Sequence, residues 1–345
     1  MSSRVRIKDV AAEADVSVTT VSHVLNQTPH TRVNEETRRR VLDVAARLNY
    51  RPNRVARSLR TQSSGMIGLL TEEFATTPHA GRIILGAQEA ASRNNLTLAI
   101  INSALQADAV ERRDDVAALL DRQVDGIIYA TVFHDVVSPP AELRTVPSVL
   151  IGARDRTRRV SSVTPDERQG ARDAVRSLVA LGHRRIGFVA NTTDVPATRG
   201  RRLGYLDALE EAGIEADPDL VAEGEAEAGG GFEAATALLD RPGERPTAIF
   251  CYNDRMAMGV YRAIGDHGLR IPDDISVIGF DDQEPIASGL YPGLTTVSLP
   301  HYEMGAWAVD SLVSQRDGDR AAGTHRLPCP LVHRGSVAPV GVSPA

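Results

Sequence analysis

The chain has 345 residues, enough for two or three domains, and a net charge of -6 that argues against a protein coating nucleic acid over its whole surface. The charge is unevenly distributed, because residues 1–62 carry twelve Lys or Arg and six acids, which leaves -12 for the remainder. This asymmetry predicts a basic module that binds phosphates, joined to an acidic body.

Segment 7–26 predicts two short helices separated by a tight turn. Apolar residues recur at helical spacing over 7–14, and Asp15 and Val16 break the pattern. Ser17 is a suitable N-cap for a second helix with one apolar face and one face of small or hydrogen-bonding side chains. The pattern favours a helix-turn-helix whose second helix fits the DNA major groove. A plain helical hairpin is the alternative interpretation.

A third helix is predicted after Asn34, its expected N-cap, with a buried stripe at Val41, Leu42, Ala45 and Leu48. A short fourth helix is predicted over 53–60. Seven or eight residues do not form a stable helix alone in water, so a basic linker is the other interpretation of this segment.

From residue 66 onward, apolar runs of strand length alternate with helical segments. The predicted strands cover 67–70, 97–102, 126–130, 148–151, 185–190, 248–251 and 276–280. The predicted helices cover 82–94, 109–121, 167–181, 204–212, 231–239 and 255–267. Two such series, up to about 160 and from about 163, predict two parallel α/β lobes. Ligands of such sheets bind beyond the carboxyl ends of the strands, so a cleft between the lobes is the expected site.

Catalytic and metal-binding motifs are missing from the sequence. Cys251 and Cys329 have no metal-type spacing to each other or to the histidines. Adjacent carboxylates at 281–282 point in opposite directions on an extended chain, which argues against a catalytic pair. No apolar stretch is long enough for a signal peptide or a membrane span. We therefore expect a cytoplasmic protein that is not an enzyme and needs no cofactor or metal.

The residue sequences of several segments are more informative than their hydrophobic periodicity. IKDVAAEADVSVTTVSHVLN at 7–26 resembles the DNA-binding head of the lactose-repressor (LacI/GalR) family, most closely its purine-repressor branch. The resemblance continues through RVNEETRRRV, NYRPNRVARSLR, GHRRIGFV and IPDDISVIGFDD, and covers residues 5 to about 340. It implies an N-terminal all-α helix-turn-helix head followed by a two-lobed parallel α/β body like a periplasmic binding protein.

The resemblance also implies domain boundaries. The head would span 1–61, including a hinge helix at 53–60, and the effector-binding and dimerisation body would span 62–345. Lobe 1 would contain about 65–160 plus 294–320, and lobe 2 about 163–291 plus 322–340.

For DNA, the resemblance implies a homodimer that binds a palindromic double-stranded operator, with one head on each half-site. Leu59 matches a residue that wedges into the minor groove and kinks the duplex. Val18 stands where the purine-repressor branch has threonine, so the operator should differ near that contact. The implied DNA-binding residues are Ser17, Val18, Thr19, Thr20, Ser22, His23, Asn26, Arg57, Leu59 and Arg60.

For the effector, the resemblance implies a cleft ligand bridging Arg201 and Asp281. The implied effector-binding residues are Thr77, Pro78, His79, Arg201, Asn253 and Asp281. Aromatic residues usual in the family are replaced at 77–79 and by Ala226, so we expect a carbohydrate rather than a purine as the small-molecule effector. A solute-binding protein, or a sugar-processing enzyme with an appended head, are the competing functions.

Overall fold

The computed structural model describes residues 5–25, 33–50, 63–72, 80–103, 109–131, 136–318 and 323–341. It divides into two compact units, a head at Met1–Gly65 and a body at Met66–Ala345. No helix in these ranges is long and apolar enough to cross a membrane.

The head contains three helices, α1 (Ile7–Glu13), α2 (Val18–Leu25) and α3 (Glu35–Arg47). Both predicted N-caps are confirmed, since Ser17 Oγ accepts from the Thr20 amide at 3.0 Å and Asn34 Oδ1 from the Thr37 amide at 2.7 Å. The predicted stripe on α3 is wrong at Leu42, which is 46% exposed. Val44 is buried in its place, on the face that packs against α1 and α2.

The body alternates strands and helices as the sequence predicts. In chain order its elements are β1 (Met66–Glu72), α4 (Ala80–Arg93), β2 (Thr97–Ser103), α5 (Ala109–Leu120), β3 (Ile127–Ala130), β4 (Val136–Val137), β5 (Ser148–Ile151), β6 (Arg154–Asp155), β7 (Ser161–Pro165), α6 (Glu167–Ala180), β8 (Ile186–Asn191), α7 (Pro196–Glu211), β9 (Val221–Gly224), α8 (Ala228–Leu239), β10 (Ala248–Cys251), α9 (Asp254–Asp266), β11 (Ser276–Asp281), α10 (Ile286–Gly289), β12 (Thr295–Ser298), α11 (His301–Arg316), β13 (Thr324–Leu327) and β14 (Leu331–Val332). Short 3-10 helices lie at Ala141–Thr145 and Pro218–Leu220.

Two six-stranded sheets form the cores of two lobes. The first has the order β13-β7-β5-β3-β1-β2 with every pair parallel, and the second has the order β14-β12-β11-β10-β8-β9. Only β14 is antiparallel to its neighbour among the described strands of the second sheet. The central strands are fully buried apolar runs, as expected for sheets covered by helices on both faces.

The chain crosses between the lobes at three places, and this corrects the predicted lobe boundaries. Crossings follow β7, β12 and β13, so 295–298 belongs to the second sheet rather than to lobe 1. Residues 324–327 belong to the first sheet rather than to lobe 2. Strands of four residues between crossings carry too short a pattern to be assigned to a sheet from sequence.

Helix α7 begins eight residues earlier than the predicted 204. Pro196 occupies its first turn, where a fixed φ and a missing N–H suit a helix start. Gly200 and Gly204 weaken the helical pattern, yet a Cβ at Gly204 would overlap the Arg168 carbonyl oxygen of α6. The glycine is therefore needed for close helix packing.

Candidate functional site

The outer surface of α2 carries the small and hydrogen-bonding side chains that the sequence predicts for it. Val21 and Val24 are buried, whereas Ser17, Val18 and Thr19 are exposed and Ser22 and His23 are half-buried. The hydroxyls of Ser17 and Thr20 lie 2.9 Å apart and hold the start of the helix. The Thr20 hydroxyl therefore supports the cap that the sequence predicts at Ser17.

Several predicted site residues lie outside the described ranges. They are Asn26, Arg57, Leu59, Arg60, Thr77, Pro78 and His79, together with the predicted hinge helix at 53–60.

A cavity of about 390 Å³ lies between the two lobes, within the usual size range of small-molecule sites. It opens at the carboxyl ends of strands from both sheets, as predicted. The structure brings Arg201, Asn253 and Asp281 together on its wall. The described lining also contains Ile83, Thr131, Ile151, Gly152, Asn191, Thr192, Thr193, Val195, Ala197, Glu225, Ala226, Tyr252, Arg255, Leu299, His301 and Met304.

Arg201 is a buried ion-pair centre rather than a free cation in the cleft. Its Nε donates to Glu167 at 2.8 Å, its Nη2 to Asp281 at 3.1 Å, and its Nη1 to the Tyr252 carbonyl oxygen. The guanidinium also lies 4.5 Å from the centre of the Tyr252 ring and 3.8 Å from that of Phe280. Arg201 and Asp281 thus pair directly in this structure.

The charge of Arg201 is fixed by this environment. Burial alone would lower its pKa, but Glu167 and Asp281 more than offset burial and hold the pKa above its ordinary value. With only 3% of the residue exposed, removal of the arginine would leave two carboxylates buried without their cation.

Asn253 is an N-cap, so much of its amide is used inside the protein. Its Oδ1 accepts from the Met256 amide at 2.8 Å, and its Nδ2 donates to the Ala226 carbonyl at 3.1 Å. The wall it shapes is therefore rigid.

The two adjacent aspartates at the end of β11 point to different partners, as the sequence predicts. Asp281 pairs with Arg201, and Asp282 pairs with Arg334 at 2.7 Å. Both have positive φ, 115° and 52°, a conformation that non-glycine residues seldom adopt. Such strained backbone is common at binding sites.

Asp254, the residue after Asn253, is fully buried beneath the cleft. Burial first, and then the neighbouring charge of Asp281, raise its pKa to about 7. Its carboxyl group accepts from the Gln283 amide at 2.7 Å and the Thr296 hydroxyl at 2.6 Å, which limits the rise.

We expect a pH-dependent stability from Asp254. Because the folded pKa exceeds the unfolded one, the folded state binds the extra proton, and the free energy of unfolding falls as pH rises from about 4 to about 7. Asp254→Asn imitates the protonated carboxyl, since an amide can accept from Gln283 and donate to Thr296. Urea unfolding between pH 5 and 8 should show a flatter pH profile for Asp254→Asn. An unchanged slope would contradict this assignment.

Sequence reasoning missed several lining residues, among them Thr131, Thr192, Glu225 and Arg255. One signal was available: the Asn-Thr-Thr segment at 191–193 comes at the end of β8 and continues beyond it, where ligands of parallel sheets bind. No cluster of metal-ligating side chains occurs in the described residues.

Comparisons with known proteins agree with this architecture. Residues 6–53 match the model of the bacterial regulatory proteins, lacI family, and residues 175–337 match that of the periplasmic binding protein-like domain. Catabolite control protein A of Priestia megaterium is 36% identical over 88% of this chain and 90% of its own. The HTH-type transcriptional repressor PurR of Photobacterium profundum is 33% identical over 90% of this chain and 91% of its own.

Solved structures show the same similarity. The lac repressor dimer bound to operator and the anti-inducer ONPF is 32% identical, with a TM-score of 0.79 over 97% of this chain and 100% of that one. A complex of the transcriptional regulator CelR with cellobiose is 29% identical, with a TM-score of 0.66 over 96% and 100%. The chain belongs to the LacI family and is a DNA-binding transcriptional repressor, not an enzyme, with a periplasmic-binding-protein-like effector domain.

Proposed function

We propose that this repressor binds a palindromic operator as a homodimer in the cytoplasm and is switched by an uncharged, hydroxyl-rich effector, a carbohydrate. The observation that carries the effector class is the neutralised arginine. Arg201 already has two carboxylate partners, so it has no unbalanced positive charge to offer an anionic ligand.

The remaining wall supports the same ligand class. Thr131, Thr192 and Thr193 supply hydroxyl groups, and Glu225 adds a carboxylate. Hydroxyl and carboxylate groups suit the alternating donors and acceptors of a sugar.

A purine effector fits this wall less well, since such a ring needs a stacking partner. Arg201 already covers one face of the Tyr252 ring, and Ala226 offers no ring. One similar solved structure, that of CelR, is a complex with cellobiose.

A thermal-shift screen of the full chain tests the effector class. We expect ribose, cellobiose or a related sugar to raise the melting temperature, whereas hypoxanthine and guanine leave it unchanged. A ligand at a hundred times its Kd stabilises the folded state by about 2.7 kcal/mol. A shift with a nucleobase and none with sugars would contradict the proposal.

Arg255 provides a matched pair of variants for that screen. Arg255 lies on the cavity wall, and Arg262 lies two turns further along the same helix, outside the cavity. Each has an ion pair to an exposed acid, Glu227 and Asp266, so both variants should fold. Arg255→Gln should reduce the sugar-induced shift, and Arg262→Gln should retain it.

For DNA, we propose that Thr19 and His23 contact base edges. Their position on the outer surface of α2 supports this assignment, which follows the family resemblance. Thr19→Ala and His23→Ala should each weaken binding to a selected palindrome by about 1–3 kcal/mol. Leu42→Ala, an exposed change on α3, is the control and should bind like the wild type. If Leu42→Ala lost as much DNA affinity as the α2 variants, the specific role of α2 would be contradicted.

A further inference from the structure

The amino edge of the first sheet is the end of the body at which the chain arrives from the head. We define this edge by the described segments that precede β1, β2, β3, β5, β7 and β13, namely 63–65, 93–96, 121–126, 141–147, 156–160 and 316–318. The effector cavity lies at the carboxyl ends of both sheets. The amino edges of the two sheets are therefore at opposite ends of the body.

These two ends have opposite charge. The amino edge of the first sheet carries seven arginines (Arg93, Arg122, Arg144, Arg156, Arg158, Arg159 and Arg316) against four acids (Asp121, Asp125, Glu142 and Asp317). The amino edge of the second sheet consists of the segments before β8 to β12, namely 181–185, 211–220, 240–247, 266–275 and 290–294. It carries five arginines (Arg184, Arg185, Arg241, Arg245 and Arg270) against nine acids (Glu211, Glu215, Asp217, Asp219, Asp240, Glu244, Asp266, Asp273 and Asp274). A body with an overall charge of about -12 thus has a basic surface at the end nearest the head in sequence.

The two edges also differ in whether their arginines form ion pairs with carboxylates. Arg185, Arg241 and Arg270 on the second edge all have aspartate partners within 3.5 Å. In the described part of the chain, Arg144, Arg158 and Arg159 have no carboxylate partner, and all three are exposed. No neighbouring carboxylate among the described residues therefore offsets their positive charge, and their guanidinium groups can bind an external anion.

A cavity lies between two of these arginines. Arg144 and Arg159 border a cavity of about 250 Å³ whose wall includes Ser148, Ser161 and Gln315. Ser148 and Ser161 are buried, and the Gln315 side chain is bonded to the backbone of Ser148 at 3.3 Å through both amide atoms. The frame that holds the two arginines is thus fixed by internal hydrogen bonds.

We propose that Arg144, Arg158 and Arg159 form a second DNA-contact surface, which binds backbone phosphates of the duplex flanking the operator. Guanidinium groups bind phosphate oxygens in a bidentate manner, and exposed ones do so with little desolvation. Such contacts add affinity and salt dependence but no base readout. The body would then lengthen the bound site beyond the half-sites that the heads read.

The test compares two duplexes that differ only in length. A palindrome is selected from random duplex DNA with the full chain, then used either trimmed to the two half-sites or extended by about 20 base pairs, two helical turns, on each side. The variant R144Q/R158Q/R159Q removes three charges from the first edge, and R184Q/R241Q/R245Q removes three from the second. Equilibrium binding is measured over a range of KCl concentrations.

On the extended duplex, the first variant should lose about tenfold or more in affinity. Its log–log salt slope should also fall by about 0.9 for each phosphate that the variant no longer binds. On the trimmed duplex it should match the wild type, and the second-edge variant should match it on both. If the first variant bound the extended duplex like the wild type, or lost as much affinity on the trimmed duplex, the proposal would be overturned. Should the triple variant melt below the wild type, the single change R159Q is measured instead, with an expected slope change of about 0.9.

Discussion

Arg201→Ala is expected to destabilise the body by about 3–5 kcal/mol, the usual cost of removing one partner from a buried ion pair. Glu167 and Asp281 would remain in a water-poor site without their cation. The variant also loses the contacts of the guanidinium with the rings of Tyr252 and Phe280. An effector role for Arg201 therefore cannot be separated from its structural role by this substitution.

Arg202→Ala is the matched control, because Arg202 is the next residue of α7 and pairs with Glu223 at the surface. Exposed pairs contribute about 0–1 kcal/mol, so the control should unfold close to the wild type. Urea unfolding of the full chain, followed by far-UV circular dichroism, measures both. Similar midpoints for the two variants would show that the buried ion-pair network contributes little.

Gly305→Ala is expected to destabilise the first lobe by about 1–3 kcal/mol, the range for overpacking a close contact. A Cβ on Gly305 would overlap the carbonyl oxygen of Ile83, and one on Gly86 would overlap that of Tyr302. Helices α4 and α11 thus touch backbone to backbone where they cross. Separating them would also move Ile83 and Met304, which lie on the cavity wall.

The control for this change is Gly265→Ala. Gly265 lies near the end of α9 with no atom within 4 Å of an added Cβ. Alanine there should stabilise the helix by about 0.5–1 kcal/mol. Thermal melts of the two variants should therefore shift in opposite directions, and a neutral or stabilising Gly305→Ala would contradict the close crossing.

Local patterns made much of the fold predictable. The caps at Ser17 and Asn34 follow from side-chain chemistry within three residues, and the buried central strands follow from short apolar runs. The lobe crossings after β12 and β13 were not predictable in the same way. The return to the first sheet depends on pairing between segments far apart in sequence, 324–327 with 162–165, whereas β12 stays in the second sheet through its pairing with β11.

The site was predictable in its location but less so in its chemistry. Arg201, Asn253 and Asp281 were expected near one cleft, and they line one cavity. The pairing of Arg201 with Glu167 and Asp281 was not expected, because the partners are 34 and 80 residues away. A sequence shows that an arginine is present at a strand-end cleft, but the balance of buried charge around it depends on tertiary packing.

The most direct test of the central claim is an operator titration of the full chain, with and without the sugar that raises its melting temperature. If the cleft ligand switches DNA binding, the operator Kd should change severalfold, and the sugar Kd should change by the same factor when operator is bound. An operator Kd that stays constant at saturating sugar would contradict the account, because a ligand with equal affinity for both states shifts neither.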